Sequence, residues 1–160
     1  RGSPPPTTSV LASHQVSEPV NPNSYKRVPF EAVAIAVAKL SRIPVLATDI
    51  DPIATKVADD NVRKNGVHAF VQCRTATGLR HKAISEGAPY DLIVANILAR
   101  PLMVLAPSMA ANLSAGGSVI LSGILASQRQ RVLAAYRQQA LFHVKTLWRN
   151  GWVTLHLRGN

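Results

Sequence analysis

The sequence predicts an α/β fold, a mostly parallel sheet with helices on both faces that is closed at its C-terminal end by an antiparallel hairpin. Two short apolar runs, 45–48 and 91–96, lack polar alternation, which marks strands covered on both faces. Helix-forming stretches lie between the apolar runs, as parallel connections require. Near the end, Asn150-Gly151 separates two strand-like runs, and that dipeptide is the strongest short-range hairpin signal.

Each element has its own reason. Residues 31–42 (EAVAIAVAKLSR) are good helix formers, apolar nearly all round, and Pro44 prevents continuation. After the strand at 45–48, Asp51 reads as an N-cap, with Pro52 in the first helical turn and Gly66 as the residue past the helix end. Ile53, Val57 and Val62 are expected on its inner side. Residues 67–73 offer a third strand, and 79–85 have weak helical character. The strand at 91–96 precedes a helix within 99–113, where Pro101 suits the start and Pro107 is expected to kink or split the helix. Ala115-Gly116-Gly117 reads as a turn into a strand at 118–122, and 127–140 as an amphipathic helix with Val132, Leu133, Tyr136 and Ala140 on one side. In the hairpin, a two-residue turn puts Val144, Thr146 and Trp148 on a core face with Val153, Leu155 and Leu157. His143, Lys145 and Arg149 then share a wet, basic face with Thr154, His156 and Arg158.

Composition narrows the function classes. The chain has 160 residues, 47% hydrophobic, with a mean hydropathy of +0.09. That suits one globular domain. No apolar run approaches the roughly 20 residues of a membrane helix, and the N-terminal residues lack the apolar core of a signal peptide, so no membrane association is expected. Residues 1–30 hold six of the eleven prolines and read as an irregular segment ahead of an α/β domain at 31–160. The single cysteine, Cys73, has no disulfide or zinc partner, which fits a reducing, cytoplasmic setting and a buried strand thiol; no metal site is expected. Net charge is +10, and residues 92–160 carry seven Lys or Arg and no acid. Such a field attracts RNA, a ribosomal surface or an acidic protein, although many basic faces are merely solvated.

Candidate binding residues sit at strand ends, where α/β folds place their ligands. Asp49 ends the second apolar run, where a ribose is held in nucleotide-binding halves. Asn96 ends the run at 91–96. Asp51 reads as a helix cap only, and Asp59 and Asp60 as ordinary helix acids.

Together VLATDIDPIA, DLIVANILARP and LSAGGSVILSGIL resemble the class I S-adenosylmethionine-dependent methyltransferases over residues 34–158. ANILARPL is most similar to the bacterial PrmA family, which methylates amino groups of the eleventh large-subunit ribosomal protein. The resemblance implies a Rossmann-like sheet, S-adenosylmethionine as cofactor and a ribosomal protein as substrate. It implies that Asp49 accepts hydrogen bonds from both ribose hydroxyls, a task suited to the two oxygens of a carboxylate. Ile50 would pack on the adenine. Asn96 would serve the methionine part of the cofactor and the incoming amine, and so carry catalysis by positioning rather than as a base. Thr8, in a Thr pair that the family places upstream, is carried over as a cofactor contact.

Departures come before residue 34. The family has a first strand ending in an acid and a D-x-G-x-G-x-G loop; here the matching stretch, SYKRVPFEAV, has no glycine, and Arg27 stands near the first loop glycine. The first strand is expected to be degenerate or missing, leaving a slot between the strands at 45–49 and 91–96 that residues 25–30 could fill. Activity impaired by loss of the loop is the corresponding expectation. The alternative from another class is a non-catalytic basic module that keeps the fold and binds RNA or the ribosome. A nicotinamide-dependent oxidoreductase would need G-x-G-x-x-G, and a DNA adenine methyltransferase a Pro-Pro-aromatic run after Asn96; both are missing.

Overall fold

The computed structural model describes Thr8–Leu11 and residues 30–160. Among the described residues seven strands form one sheet: β1 (Thr8–Leu11), β2 (Val45–Asp49), β3 (Val71–Thr75), β4 (Tyr90–Asn96), β5 (Leu113–Leu125), β6 (Leu141–Arg149) and β7 (Trp152–Gly159). Their order is β3-β2-β1-β4-β5-β7-β6. The strands from β3 to β5 are parallel, and β7 runs antiparallel to both β5 and β6.

The slot beside β2 is filled by Thr8–Leu11, which pairs in parallel with β2 on one side and β4 on the other. This corrects the expectation that 25–30 would take that place: Phe30 opens α1 (Phe30–Ser41), and 25–29 lie outside the described residues. With both β2 and β4 already paired to Thr8–Leu11, no open strand edge is left there for a second segment, and Phe30 is itself helical. The first strand is thus present in degenerate form. It is four residues long and does not end in an acid.

Helices α1 and α2 (Pro52–Lys64) lie over one face, with Phe30, Ala34, Ala38, Ala58 and Val62 packed on Val45 and Ala47 of β2. Asp51 caps α2 as expected, its side chain accepting from the Ile53 N–H at 2.8 Å, and Gly66 follows the helix end with φ +70°. The inner face differs from expectation. Val62 is buried, but Thr55 and Ala58 accompany it while Ile53 and Val57 are exposed. A helix of 3.6 residues per turn places Thr55, Ala58 and Val62 on one stripe, and the short side chains let α2 approach the sheet.

The other face carries α3 (Lys82–Gly87), α4 (Ala99–Asn112) and α5 (Arg129–Arg137). Leu46, Ile93, Leu102, Met109, Leu121 and Tyr136 belong to its core. Tyr136 is fully buried, and its hydroxyl donates to the Leu102 carbonyl at 2.9 Å, tying α5 to α4. Pro107 does not split α4, which runs through it.

The hairpin keeps its expected register from the turn to Lys145, opposite His156, and then slips by one, so that His143 faces Leu157. Val144 is the extra residue of a β-bulge and is exposed, while His143 turns to the helix-covered side and meets Thr146 and Arg129. Val153, Leu155 and Leu157 are buried as expected.

Cys73 is a core thiol of β3. Burial first, then the Asp59 and Glu31 carboxylates, push it up from 9.0 to about 11, against the opposing effect of Arg74. Because the folded value lies above the unfolded one, this group's contribution to stability is complete below pH 9 and is lost as pH rises towards 11. Iodoacetamide at pH 8 should therefore leave Cys73 unmodified in the native chain over a time that alkylates it fully in urea. Rapid native labelling, read by mass spectrometry, would contradict this placement.

Candidate active site

Parallel registers bring the two strongest site candidates to one level. Leu11, the last residue of β1, pairs with Thr48 of β2 and with Ala95 of β4. Asp49 and Asn96 are therefore each one residue beyond the end of β1 and flank it. With strands about 4.8 Å apart, their backbones are about 10 Å apart, and a ligand touching both must lie across the end of β1. That is also the topological switch point, since the chain passes from β1 towards β3 on one side and from β4 towards β6 on the other.

Asp49 is 2% exposed, and its carboxylate is oriented locally: Oδ1 accepts the Asp51 N–H at 2.8 Å. Its main-chain carbonyl accepts the Ala76 N–H at 2.8 Å, joining the ends of β2 and β3. Ile50 follows, half-buried at the rim. Thr75, opposite Asp49, shares a 2.7 Å hydroxyl contact with Thr55 that fixes the start of α2 against the same strand end.

Asn96 pairs with Ser122 of β5 and precedes Ile97 and Leu98, the residues leading into α4. On β5, Gly123 comes so close that a Cβ built there would lie 3.3 Å from Asn96 Oδ1. Sequence reasoning did not single out Gly123. The available signal was a glycine inside the apolar strand pattern LSGIL, which marks a bulge or a close backbone approach.

Thr8 is not brought to this site. It is the first residue of β1, paired with Val45 and Leu92, and so lies at the opposite end of the strand from Asp49 and Asn96. Of SYKRVPFEAV, the stretch matched to the glycine loop, residues 24–29 are outside the described residues and 30–33 open α1. The cations of the C-terminal part are spread over several elements: Arg100 is on α4, Arg129, Arg131 and Arg137 are on α5, Lys145 and Arg149 are on β6 and Arg158 is on β7.

A parallel sheet with this strand order, an antiparallel final hairpin and polar residues at the ends of β2 and β4 defines a Rossmann-like methyltransferase fold. Among solved structures, a ribosomal protein L11 methylase from Lactobacillus delbrueckii subsp. bulgaricus matches with a TM-score of 0.76 and 26% identity, over 95% of this chain and 70% of that one. The family model for ribosomal protein L11 methyltransferase (PrmA) matches residues 32–160, and the chain belongs to that family. It is 65% identical over 125 residues to a ribosomal protein L11 methyltransferase of Rhizobium johnstonii, covering 78% of this chain and 43% of that protein. With the corresponding protein of Rhizobium rhizogenes it shares 54% identity over 149 residues, which is 93% of this chain and 50% of the relative. The chain thus spans about half the length, or less, of these curated relatives.

Proposed function

We propose that the chain acts as the catalytic domain of an S-adenosylmethionine-dependent protein methyltransferase, directed at amino groups of a large-subunit ribosomal protein. The observation that carries this reading is the placement of Asp49 and Asn96 at one level on either side of β1. Family membership and the names of the relatives support the substrate class.

A buried carboxylate held by a backbone N–H is an acceptor pair for a vicinal diol, so Asp49 would hold the ribose. Ile50 offers an apolar side chain next to it for the adenine. When bound, S-adenosylmethionine supplies an electrophilic sulfonium methyl. Asn96 Oδ1 and the neighbouring Ile97 carbonyl accept hydrogen bonds, which orient a neutral amine so that its lone pair points at that methyl. An amide does this without competing as a nucleophile. The methylated nitrogen would be an ammonium able to release its proton to water, so no side chain here would have to act as a base.

Calorimetric titration of the folded 160-residue chain with S-adenosylhomocysteine tests the reading. Micromolar binding is expected, weakened about tenfold or more in Asn96→Ala. A chain that melts cooperatively yet takes up no ligand would reject the catalytic form of the proposal.

A further inference from the structure

β5 bulges where it passes the end of β4. Leu121 faces Leu155 and Ile124 faces Val153 on β7, so Ser122 and Gly123 together oppose Thr154 alone. The Ser122 and Thr154 hydroxyls, 3.2 Å apart, pin the bulge to β7. Gly123 has φ +81°, a region that residues with a Cβ rarely occupy. A Cβ at Gly123 would lie 2.6 Å from the Ile97 carbonyl oxygen and 3.1 Å from its carbon, besides 3.3 Å from Asn96 Oδ1. Changing a rotamer cannot relieve the first two contacts, because they are with backbone.

Other glycines show that this is local. Gly116, also on β5, and Gly151 in the hairpin turn have φ of +69° and +80°, yet a Cβ on either meets nothing within 4 Å. Backbone conformation alone explains those glycines. At Gly123 the bare Cα also lies against two acceptors at the mouth of the site.

We infer that Gly123 is a positioning residue for Asn96. The bulge brings a residue without a side chain against the Asn96–Ile97 corner and thereby sets where Asn96 Oδ1 and the Ile97 carbonyl stand. This rests on the reading of Asn96 as a ligand-binding residue. A side chain at 123 would push the corner away from β5, towards the end of β1, while leaving Asp49 untouched, on the far side of that strand.

The test combines Gly123→Ala, Gly116→Ala and Asn96→Ala in the 160-residue chain, read by S-adenosylhomocysteine calorimetry and by the side-chain amide resonances of Asn96. Gly123→Ala should raise Kd about tenfold or more and displace those resonances, whereas Gly116→Ala, with the same φ penalty, should do neither. In the Asn96→Ala background, Gly123→Ala should change Kd by less than about twofold, since coupled residues are not additive. An equal penalty in both backgrounds, or wild-type binding by Gly123→Ala, overturns the inference. If Asn96→Ala binds as well as wild type, or wild type does not bind, the reading of Asn96 falls and takes the inference with it. Should Gly123→Ala not melt cooperatively, the wild-type chain decides. Its Gly123 amide and Asn96 side-chain resonances should then shift with one midpoint during the titration, and an unmoved Gly123 overturns the assignment.

Discussion

Deleting residues 1–11 is expected to abolish the cooperative thermal transition of the chain, although this removes only four residues of regular structure among those described. β1 is hydrogen-bonded on both sides, pairing four residues with β2 and the same four with β4. Its removal strips partners from two strands at once in the middle of the sheet. An orphaned buried backbone group costs about 1–3 kcal/mol, so even a handful of them equals the roughly 5–15 kcal/mol of a whole domain. Val10→Pro is the point version. It removes an N–H and inserts a ring in a strand with neighbours on both sides, at a cost on the order of 3 kcal/mol, or a fall in Tm of about 10 °C for a chain of this size. Circular dichroism melts check both, and an unchanged transition after the deletion would mean that another segment occupies the centre of the sheet.

The second large effect is expected at Asp49. Asp49→Asn keeps an oxygen for the Asp51 N–H and so should melt like wild type, but it loses the charge and one of the two acceptors offered to a diol. Charge-assisted hydrogen bonds are worth about 1.5–3 kcal/mol each, so losing this arrangement should weaken S-adenosylhomocysteine binding on the order of a hundredfold or more. Asp49→Ala should weaken it at least as much and also lower Tm, because the Asp51 N–H loses its partner at the start of α2. The pair separates ligand recognition from folding. Near-wild-type affinity in Asp49→Asn would rule out the carboxylate as the ribose acceptor.

How much of this was legible in the sequence depended on whether a residue's surroundings are local. The parallel strands at 45–49 and 90–96, the Asp51 cap and the Asn150-Gly151 turn follow from runs and dipeptides whose chemistry is complete within a few residues. Asp49 and Asn96 stand out as candidates because strand ends are recognisable in the sequence. Three features were not legible for three reasons. Thr8–Leu11 reads TSVL, half polar, and its role depends on neighbours far away in the chain. The inner face of α2 runs through small and hydroxylic residues, Thr55 and Ala58, because close packing there rewards small size over apolar bulk. Register in the hairpin carries to Lys145 from the turn alone, but nothing near Val144 announces the inserted residue. Gly123 combines the last two cases, since its glycine was visible and its neighbours, Asn96 and Ile97, were not.

The place of β1 has a consequence for how the chain is made. It is synthesised before either of the strands that flank it, and β4 begins only at Tyr90. At about 5–20 residues per second, on the order of ten seconds separate the emergence of Leu11 from that of its second partner. During that interval the future centre of the sheet has at least one open edge, and the nascent chain cannot close the long-range pairing on which its folding rate depends. A strand that must wait so long is safer for being short, with Thr8 and Ser9 in half its positions, because apolar unpaired edges are the ones that recruit other chains.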